Sequence, residues 1–214
     1  MSDAADLSDL RVARGFCDAE RPILARLFWE AFSDKLGRIM SPEARAIAFL
    51  EGALHPDFAL VARDGQGRVL GAAGIKTRAG GLVTGGFADL ARAYGPLGAL
   101  WRAPLLELTE RRTGPDAMLL DGLFVSADAR RRGVGTRLIE AILEEASARR
   151  YAEMHLDVTD DNAPARALYE RQGFRAVGAR RMGLAGAALG VRAATTMARP
   201  VDGAQDSYRS DPPV

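Results

Sequence analysis

Hydrophobic and polar residues alternate along the chain with two different periods, which predicts strands and helices in turn. A period of two over residues 10–14 predicts a strand, and apolar residues at three- and four-residue steps after Asp18 predict a helix that this aspartate caps. A second helix is predicted to begin at Ser41. Two further strand patterns, 58–63 and 69–75, flank the turn sequence Asp-Gly-Gln-Gly and therefore predict a hairpin.

The pattern changes over residues 77–117. A glycine-rich beginning is followed by apolar residues at helical spacing, which Pro96 and Pro104 interrupt, so two or three short helices are predicted. Two interpretations stay open for this segment. It could cover one edge of the sheet as a packing element, or it could form a lid or wall over a substrate cleft.

The second half of the chain returns to alternating strands and helices. The predicted elements are strands over 118–125 and 154–158, helices over 134–148 and 163–171, and a final antiparallel pair over 175–182 and 191–198. The polar, proline-bearing segment 200–214 is predicted to be a disordered tail, which leaves 1–199 as one domain. This order of elements predicts an α/β fold.

The composition narrows the classes of function. The chain has 29 basic and 28 acidic residues, so no overall charge attracts nucleic acid or a membrane surface. Its soft metal ligands, Cys17, His55 and His155, are far apart in sequence, so no metal site is expected. Only Lys35 and Lys76 are lysines and the other basic residues are arginines, which indicates a GC-rich coding genome of the kind many bacteria have. No signal peptide or membrane span is visible, so a cytoplasmic protein is expected.

The sequence Arg-Arg-Arg-Gly-Val-Gly-Thr, residues 130–136, follows a predicted strand and opens a predicted helix. Gly133 and Gly135 let the backbone approach a ligand and expose amides at the helix start, and the arginines add charge suited to phosphate oxygens. The segment is neither a dinucleotide fingerprint nor a P-loop, because Leu138 stands where a third glycine would be and no Gly-Lys-Ser/Thr follows. It predicts a pyrophosphate site; taken alone, a solvated arginine turn is the alternative.

A second motif makes a family resemblance specific. Residues 162–174 match N-x-x-A-x-x-L-Y-x-x-x-G-F, and residues 130–135 match Q/R-x-x-G-x-G/A. In this order the two motifs resemble the signatures of the GCN5-related N-acetyltransferases (GNAT). The resemblance is specific over 118–182 and topological over 10–76, and it does not include 77–117, which compact members lack. It implies a mixed, partly splayed sheet with helices on both faces and a helical insert between the third and fourth strands.

The resemblance also implies acetyl-CoA as the co-substrate and assigns residues to its site. The pyrophosphate would be held by one continuous segment, namely Arg130, Arg131, Arg132, Gly133, Val134, Gly135 and Thr136. The backbone near Phe124 and Val125 would polarise the thioester carbonyl. Asn162 would hydrogen-bond the pantetheine arm or the neighbouring backbone, and Arg166 is expected in the same site. Tyr169 matches the family's general acid; a tyrosine that fills the core between two strands is the alternative.

Two aspartates are candidates for the general base. Asp157 lies on a predicted strand where some relatives place a glutamate that acts through water, and Asp121 stands within an otherwise apolar strand beside the expected cleft. Each could instead form an ion pair or a capping contact. His155 is a further candidate, and an amine that arrives deprotonated would need no base.

The expected function is direct transfer of an acetyl group from acetyl-CoA to a primary amine of a small molecule. No activated serine or cysteine is evident, so no covalent enzyme intermediate is expected. A peptide or protein N-terminus is the alternative acceptor, and a non-catalytic acyl-CoA-binding regulatory module is the alternative class. No specific nucleic acid and no membrane partner are expected, and a homodimer through exposed leucines of 77–117 stays open.

Overall fold

The computed structural model describes residues 9–107, 114, 116–181 and 193–201 of the chain. Its strands are β1 (Arg11–Arg14), β2 (Ala59–Arg63), β3 (Val69–Lys76), β4 (Ala117–Val125), β5 (Glu153–Thr159), β6 (Arg175–Arg181) and β7 (Ala193–Pro200). Its α-helices are α1 (Arg21–Met40), α2 (Glu43–Ala53), α3 (Phe87–Glu107), α4 (Val134–Ala148) and α5 (Ala163–Arg171).

The strands within these ranges form one sheet in the order β1-β2-β3-β4-β5-β7-β6. Neighbouring strands are antiparallel except β4 and β5, which are parallel and are connected through α4. The parallel pairing covers only three residue pairs and ends at Leu119 opposite His155. Beyond that point β4 continues to pair with β3, and β5 continues to pair with β7. The sheet therefore has an opening between its two parallel strands.

The sheet separates two hydrophobic clusters. On one face α1, α2 and α3 bury residues such as Leu24 and Phe49 against the strands. On the other face α4 buries Leu138 and Ile142, and α5 adds Tyr169 to the same cluster. Strands bury alternate residues on opposite faces, so one sheet supplies both clusters. This arrangement confirms the predicted mixed sheet with helices on both faces and a helical insert after the third strand.

Helix α3, the insert, is fixed to the end of α1 by polar contacts. The Tyr94 hydroxyl donates to the carbonyl of Met40, and Arg102 Nε donates to the carbonyl of Ile39 at 2.7 Å. The Arg102 guanidinium also lies 4.0 Å from the centre of the Tyr94 ring. The last carbonyls of a helix have no partner within it, and here α3 supplies donors to two of them. The insert is thus attached to α1.

Some element boundaries differ from the sequence prediction. Glu20, not Asp18, is the residue before α1, and Asp18 instead accepts a hydrogen bond from the Arg21 side chain at 3.3 Å. The insert has two helical segments that meet at Gly95, whose φ of 75° breaks the helix, while Pro104 does not interrupt it. This break falls directly before a proline, where helical backbone is disfavoured.

Parts of the predicted elements lie outside the described residues. These are residues 108–113 of the insert and 182–192 of the last strand pair, together with 202–214 of the predicted tail. Pro200 and Val201, the first two residues of that tail, belong to the packed structure. Pro200 pairs with Glu153, and the buried Val201 donates its N–H to the carbonyl of Ala152.

An ion pair between Glu20 and Arg63 connects the start of α1 to β2. Glu20 Oε1 accepts from Arg63 Nε at 2.6 Å, and Glu20 Oε2 accepts from Arg63 Nη2 at 2.8 Å. Both side chains are largely shielded from solvent. The Arg63 hydrogen bonds, helped by the backbone N–H of Cys17, lower the pKa of Glu20 to about 2.

We expect Glu20→Gln to lower the free energy of unfolding by about 2 kcal/mol at pH 7, since it removes a charge-assisted bidentate pair. The folded-state pKa of about 2 lies below the ordinary 4.5. The stabilisation is therefore complete above about pH 5 and disappears as the pH falls towards 2. Urea unfolding of both proteins between pH 7 and pH 3 measures this. Glu144→Gln, on the exposed side of α4, is the control and should change little; a constant difference across this pH range would contradict the assignment.

Candidate functional site

The N-terminus of α4 is open to solvent. Gly133 occupies the position before the helix with φ of 88°, and no side chain caps the helix. A Cβ added at Gly133 would meet nothing within 4 Å, so this space is free for another molecule. The first N–H groups of a helix have no partner within it and carry a partial positive charge. Together these features form a backbone site for an anion.

The two sequence motifs are in direct contact. A Cβ added at Gly135 would lie 3.2 Å from Leu168 Cδ2, tighter than ordinary packing distance. Glycine at 135 therefore lets α5 pack closely against the first turn of α4. The second motif begins with Asn162, whose Oδ1 accepts the N–H of Ala165 at 3.2 Å and so caps α5.

The three arginines before α4 differ in what they contact. Arg130 Nε donates to the carbonyl of Val125 at 3.1 Å, which ties this loop to the end of β4. Arg131 is exposed, Arg132 is half-buried, and Arg131 has a left-handed φ of 59°. Val134 is buried in the core, so only its backbone faces the anion site. The remaining residue of the segment, Thr136, is half-buried in the first turn of α4.

The end of β4 offers a backbone donor to the opening in the sheet. Ser126 donates its N–H to the carbonyl of Leu70, the second residue of β3, at 2.8 Å. Successive N–H groups along a strand point to opposite edges, so the Val125 N–H points to the edge that β5 has left. The side chain of Phe124 is buried and lies edge-on to Phe28, with ring centres 5.5 Å apart. Phe124 is therefore packed in the core, and its backbone alone can take part in a site.

A groove of about 140 Å³ fills the opening between β4 and β5. We call it the strand groove. Phe32 and Lys35 of α1 line it from one face of the sheet, and Asn162 and Tyr169 line it from the other. The groove therefore passes through the sheet. Arg166 does not line it and instead forms an ion pair with Glu170 at 2.9 Å.

Tyr169 is buried, with 8% of its surface exposed, and its ring lies 6.0 Å from that of Phe174. Burial raises the pKa of Tyr169 to about 12. Its hydroxyl therefore stays protonated throughout the physiological pH range. Among the described residues no hydrogen bond to this hydroxyl is found, and the side chain borders the strand groove.

A second cavity, of about 320 Å³, lies on the face of the sheet that α1, α2 and α3 cover. We call it the apolar cavity. Its walls come mainly from apolar side chains of these helices, and three of its lining residues, Leu120, Asp121 and Asp157, also line the strand groove. The two aspartates thus stand where the two spaces adjoin.

Asp121 occupies a β-bulge. Gly74 pairs with Gly122 and Ile75 with Leu120, which leaves Asp121 as an extra residue in β4. Asp121 Oδ2 accepts the N–H of Leu82 at 3.2 Å, a contact with the loop that follows β3. The bulge turns this carboxylate towards the cavity although the strand around it is apolar.

Asp157 reaches the same place from β5. Its Oδ1 accepts from the Thr196 hydroxyl at 2.6 Å. Both Asp121 and Asp157 are exposed residues, so the structure brings the two base candidates together at a solvent-accessible point. His155, the third candidate, contacts Glu153 Oε2 through Nε2 at 2.7 Å and lines neither space.

Both lysines of the chain belong to this region, and sequence reasoning missed Lys76. Lys35 donates to the Thr159 hydroxyl at 3.0 Å and lines the strand groove, while Lys76 lines the apolar cavity. The signal that could have found Lys76 is the composition: two lysines among 29 basic residues suggest positions where arginine does not fit.

Comparison with known proteins identifies the family. The model described as "Acetyltransferase (GNAT) family" matches residues 22–174, which include β2 to β5, α1 to α5 and both motifs. The chain belongs to the acetyltransferase (GNAT) family. Acetyl-CoA is the general co-substrate of this GNAT family, and its members are acyltransferases.

Solved structures share the GNAT fold. One described as an acetyltransferase is 23% identical, with a TM-score of 0.60, over 90% of this chain and 100% of that one. An N-acetyltransferase from Staphylococcus aureus Mu50 is 17% identical, with a TM-score of 0.64, over 88% and 100%. The ribosomal-protein-S18-alanine N-acetyltransferase from Escherichia coli is 19% identical, with a TM-score of 0.51, over 92% and 97%. At these identities the likeness concerns the fold.

The described ranges hold neither a metal-binding cluster nor a helix suited to cross a membrane. No group of three or more His, Cys, Asp or Glu side chains there is placed to hold a metal ion. No helix in the same part of the chain is both long and apolar enough to cross a membrane.

We expect Gly133→Ala to destabilise the protein by about 1–2 kcal/mol, because a side chain at φ of 88° strains the backbone. Gly52→Ala is the matched control: Gly52 lies in α2 with open space around it, so alanine there should stabilise by up to about 1 kcal/mol. Chemical denaturation of both variants measures the difference. Equal effects of the same sign would show that Gly133 has no special backbone role.

Proposed function

We propose that this chain transfers an acetyl group from acetyl-CoA directly to a primary amine of a small molecule. One observation carries the proposal. Strand β4 and the protonated Tyr169 line one groove, and Gly135 at the N-terminus of α4 lies beside Leu123 of that groove. The groove adjoins a cavity through Asp121 and Asp157. Acyl transfer to an amine needs an anion site, an oxyanion donor, a proton donor for sulfur and a base. We assign residues 1–199 to one acetyltransferase domain that carries out this reaction.

The residues present fit the pyrophosphate of acetyl-CoA. Gly133 leaves open space at the helix start, and the amides from Arg131 to Thr136 are the backbone donors of the first turn. Arg131 and Arg132 add charge there, whereas Arg130 positions the loop through its contact with Val125. The side-chain oxygen of Asn162 caps α5, so the side-chain NH2 of Asn162 is the group that would donate to the pantetheine arm.

The chain's own groups then have separate tasks in the reaction. The amine nitrogen bonds to the thioester carbonyl carbon, and the Val125 N–H stabilises the charge that develops on the carbonyl oxygen. The carbon–sulfur bond breaks, and the Tyr169 hydroxyl donates to the departing sulfur. A carboxylate takes one proton from the ammonium form of the acceptor before the attack and passes it to solvent, and the nitrogen loses its second proton to solvent after the attack. The thiolate takes one proton from water, so an amide and free CoA thiol are formed and one proton is released in all.

The raised pKa of Tyr169 limits how it can act. A thiol has an ordinary pKa near 8.5, so complete proton transfer from a phenol of pKa about 12 to a free thiolate is unfavourable by several pKa units. Tyr169 therefore acts as a hydrogen-bond donor to sulfur while the carbon–sulfur bond breaks. Water supplies the final proton of the thiol.

We assign the base to Asp157 and a positioning role to Asp121. Asp121 Oδ2 holds the backbone of Leu82 and so fixes the loop that closes the cavity. Asp157 has a hydroxyl partner, Thr196, on the neighbouring strand and stands on the edge of β5 that faces the groove. A carboxylate held by a hydroxyl can exchange its proton with solvent without moving a loop.

Two other functions remain distinguishable. A peptide N-terminus as acceptor is suggested by the ribosomal-protein-S18-alanine enzyme, whose likeness concerns only the fold. A non-catalytic acyl-CoA-binding module would keep the anion site without transfer. The protonated and unpartnered Tyr169 hydroxyl beside the groove favours catalysis over simple binding.

The proposal is tested first by binding and then by turnover. Acetyl-CoA at 100 times its Kd should stabilise the protein by roughly 2.7 kcal/mol, whereas NAD and ATP should not. Tyr169→Phe should lower kcat for amine acetylation by about 100-fold or more and leave acetyl-CoA binding unchanged. Thermal shift and release of free thiol measure the two quantities. Tyr151→Phe, which lines neither space, is the control.

Absence of stabilisation by acetyl-CoA would overturn the proposed function. Stabilisation without acetylation of any amine would support the binding module instead. A Tyr169→Phe variant with unchanged kcat would remove this residue from the catalytic machinery.

Kinetic measurements should distinguish the roles of Asp157 and Asp121. Asp157→Asn should lower kcat about 100-fold near pH 7, with recovery towards pH 10 because more of the amine is then already deprotonated. Asp121→Ala should mainly raise KM, since it removes the acceptor that holds the Leu82 loop beside the cavity. Profiles of kcat and KM against pH measure this. The reverse pattern would exchange the two roles.

A further inference from the structure

The apolar cavity has charged groups at one end only. Most of its lining consists of aromatic and aliphatic side chains of the helices, such as Phe28, Trp29, Met40 and Phe49. Its charged lining residues come from the strands: Lys76, Asp121 and Asp157. Two of these three also line the strand groove. A molecule in the cavity therefore meets charge only where it approaches Tyr169 and the groove.

This distribution disfavours acceptors that carry several ammonium groups. In a polyamine or an aminoglycoside, one amine could reach Asp121 and Asp157 while the others lay against apolar walls. A buried charge without a partner is strongly unfavourable. The three charged lining residues, Lys76, Asp121 and Asp157, carry a formal net charge of −1, which balances one ammonium group and not several.

The cavity is also bordered by chain segments held in place. A Cβ added at Gly85 would lie 2.5 Å from Phe49 Cζ, so the loop after β3 packs directly on α2. Helix α3, which contributes Leu106 to the lining, is fixed to α1 through Tyr94 and Arg102. A long peptide would require these contacts to separate.

The volume limits the size of the occupant. About 320 Å³ is near the lower end for ligand cavities, which hold roughly 300–1,000 Å³. The acceptor part that fits this space is therefore small for a ligand.

From these observations we infer that the acceptor is a compact apolar monoamine: one primary amine on a small aliphatic or arylalkyl group. Its ammonium group lies between Asp121 and Asp157, and its apolar part fills the space between α1, α2 and the loop after β3. The inference rests on the proposed function, since it names the substrate class of that reaction.

An amine panel tests the inference with the full chain and acetyl-CoA. We expect kcat/KM for 2-phenylethylamine and n-hexylamine to exceed that for spermidine, kanamycin and a hexapeptide with a free N-terminus by at least 100-fold. Thiol release gives the rates, and mass spectrometry identifies the acetylated products.

Substitutions in the wall of the apolar cavity test whether this cavity determines the preference among amines. Ala46, fully buried in α2, lines the cavity, so Ala46→Leu should lower kcat/KM for 2-phenylethylamine at least 10-fold and change that for ethylamine less than 2-fold. Ala48→Leu adds the same group to the exposed side of α2 and should change neither. Leu50→Ala enlarges the cavity and should shift the preference towards n-octylamine, which keeps the test valid if Ala46→Leu fails to fold.

The outcomes separate the inference from the function on which it rests. If acetyl-CoA stabilises the protein but a polycation or the peptide is acetylated as efficiently as the apolar amines, the inference is wrong and the function stands. The same holds if Leu50→Ala leaves the preference unchanged. If acetyl-CoA binds and no amine reacts, the inference is wrong and the non-catalytic binding module replaces the proposed transfer. If acetyl-CoA does not bind, the proposed function itself fails.

Discussion

The early end of the pairing between β4 and β5 is the constraint on which the candidate site depends. Each strand is held on its other side, β4 by β3 as far as Val125 and β5 by β7 as far as Thr159, so the two cannot close together again. The bulge at Asp121 begins immediately after the last parallel pair, at Leu119. A bulge increases local twist and disrupts a ladder, which favours separation at this point. The strand groove follows from that separation, and the Val125 N–H points to the edge of β4 that β5 has left.

The second requirement is close contact between α4 and α5. Gly135 allows Leu168 to approach the first turn of α4, and Gly133 leaves open space before that turn. One residue type therefore serves both the packing and the anion site. In the proposed reaction this contact sets where Tyr169 lies relative to the amides, because Tyr169 follows Leu168 directly in α5. A side chain at 135 would push Leu168 away and change the position of Tyr169 relative to the first turn of α4.

The sequence predicted α4 and α5 to the residue because their signals are local: a strongly amphipathic pattern in one, and an asparagine cap followed by proline in the other. The predicted cap of α1 at Asp18 is wrong, because Glu20 is the residue before the helix. Arg63, 43 positions away in the sequence, holds the Glu20 carboxylate, and no local pattern indicates that contact. The bulge at Asp121 depends on the register with β3, which no local pattern specifies. The apolar cavity escaped prediction for the same reason, since its walls come from three helices and a loop that only the fold brings together.

The sheet separates the two sides of the protein, and the strand groove connects them between β4 and β5. The anion site and α5 belong to one face, and the apolar cavity belongs to the other. In the proposed reaction, the donor and the acceptor would then approach from opposite sides and meet only at the strand groove, and their products could depart without crossing. Changes in α1, α2 or α3 could alter which amine is accepted while the packing of α4 and α5 stays as it is. The sheet thus divides the protein into a half that defines the donor and a half that is free to diversify.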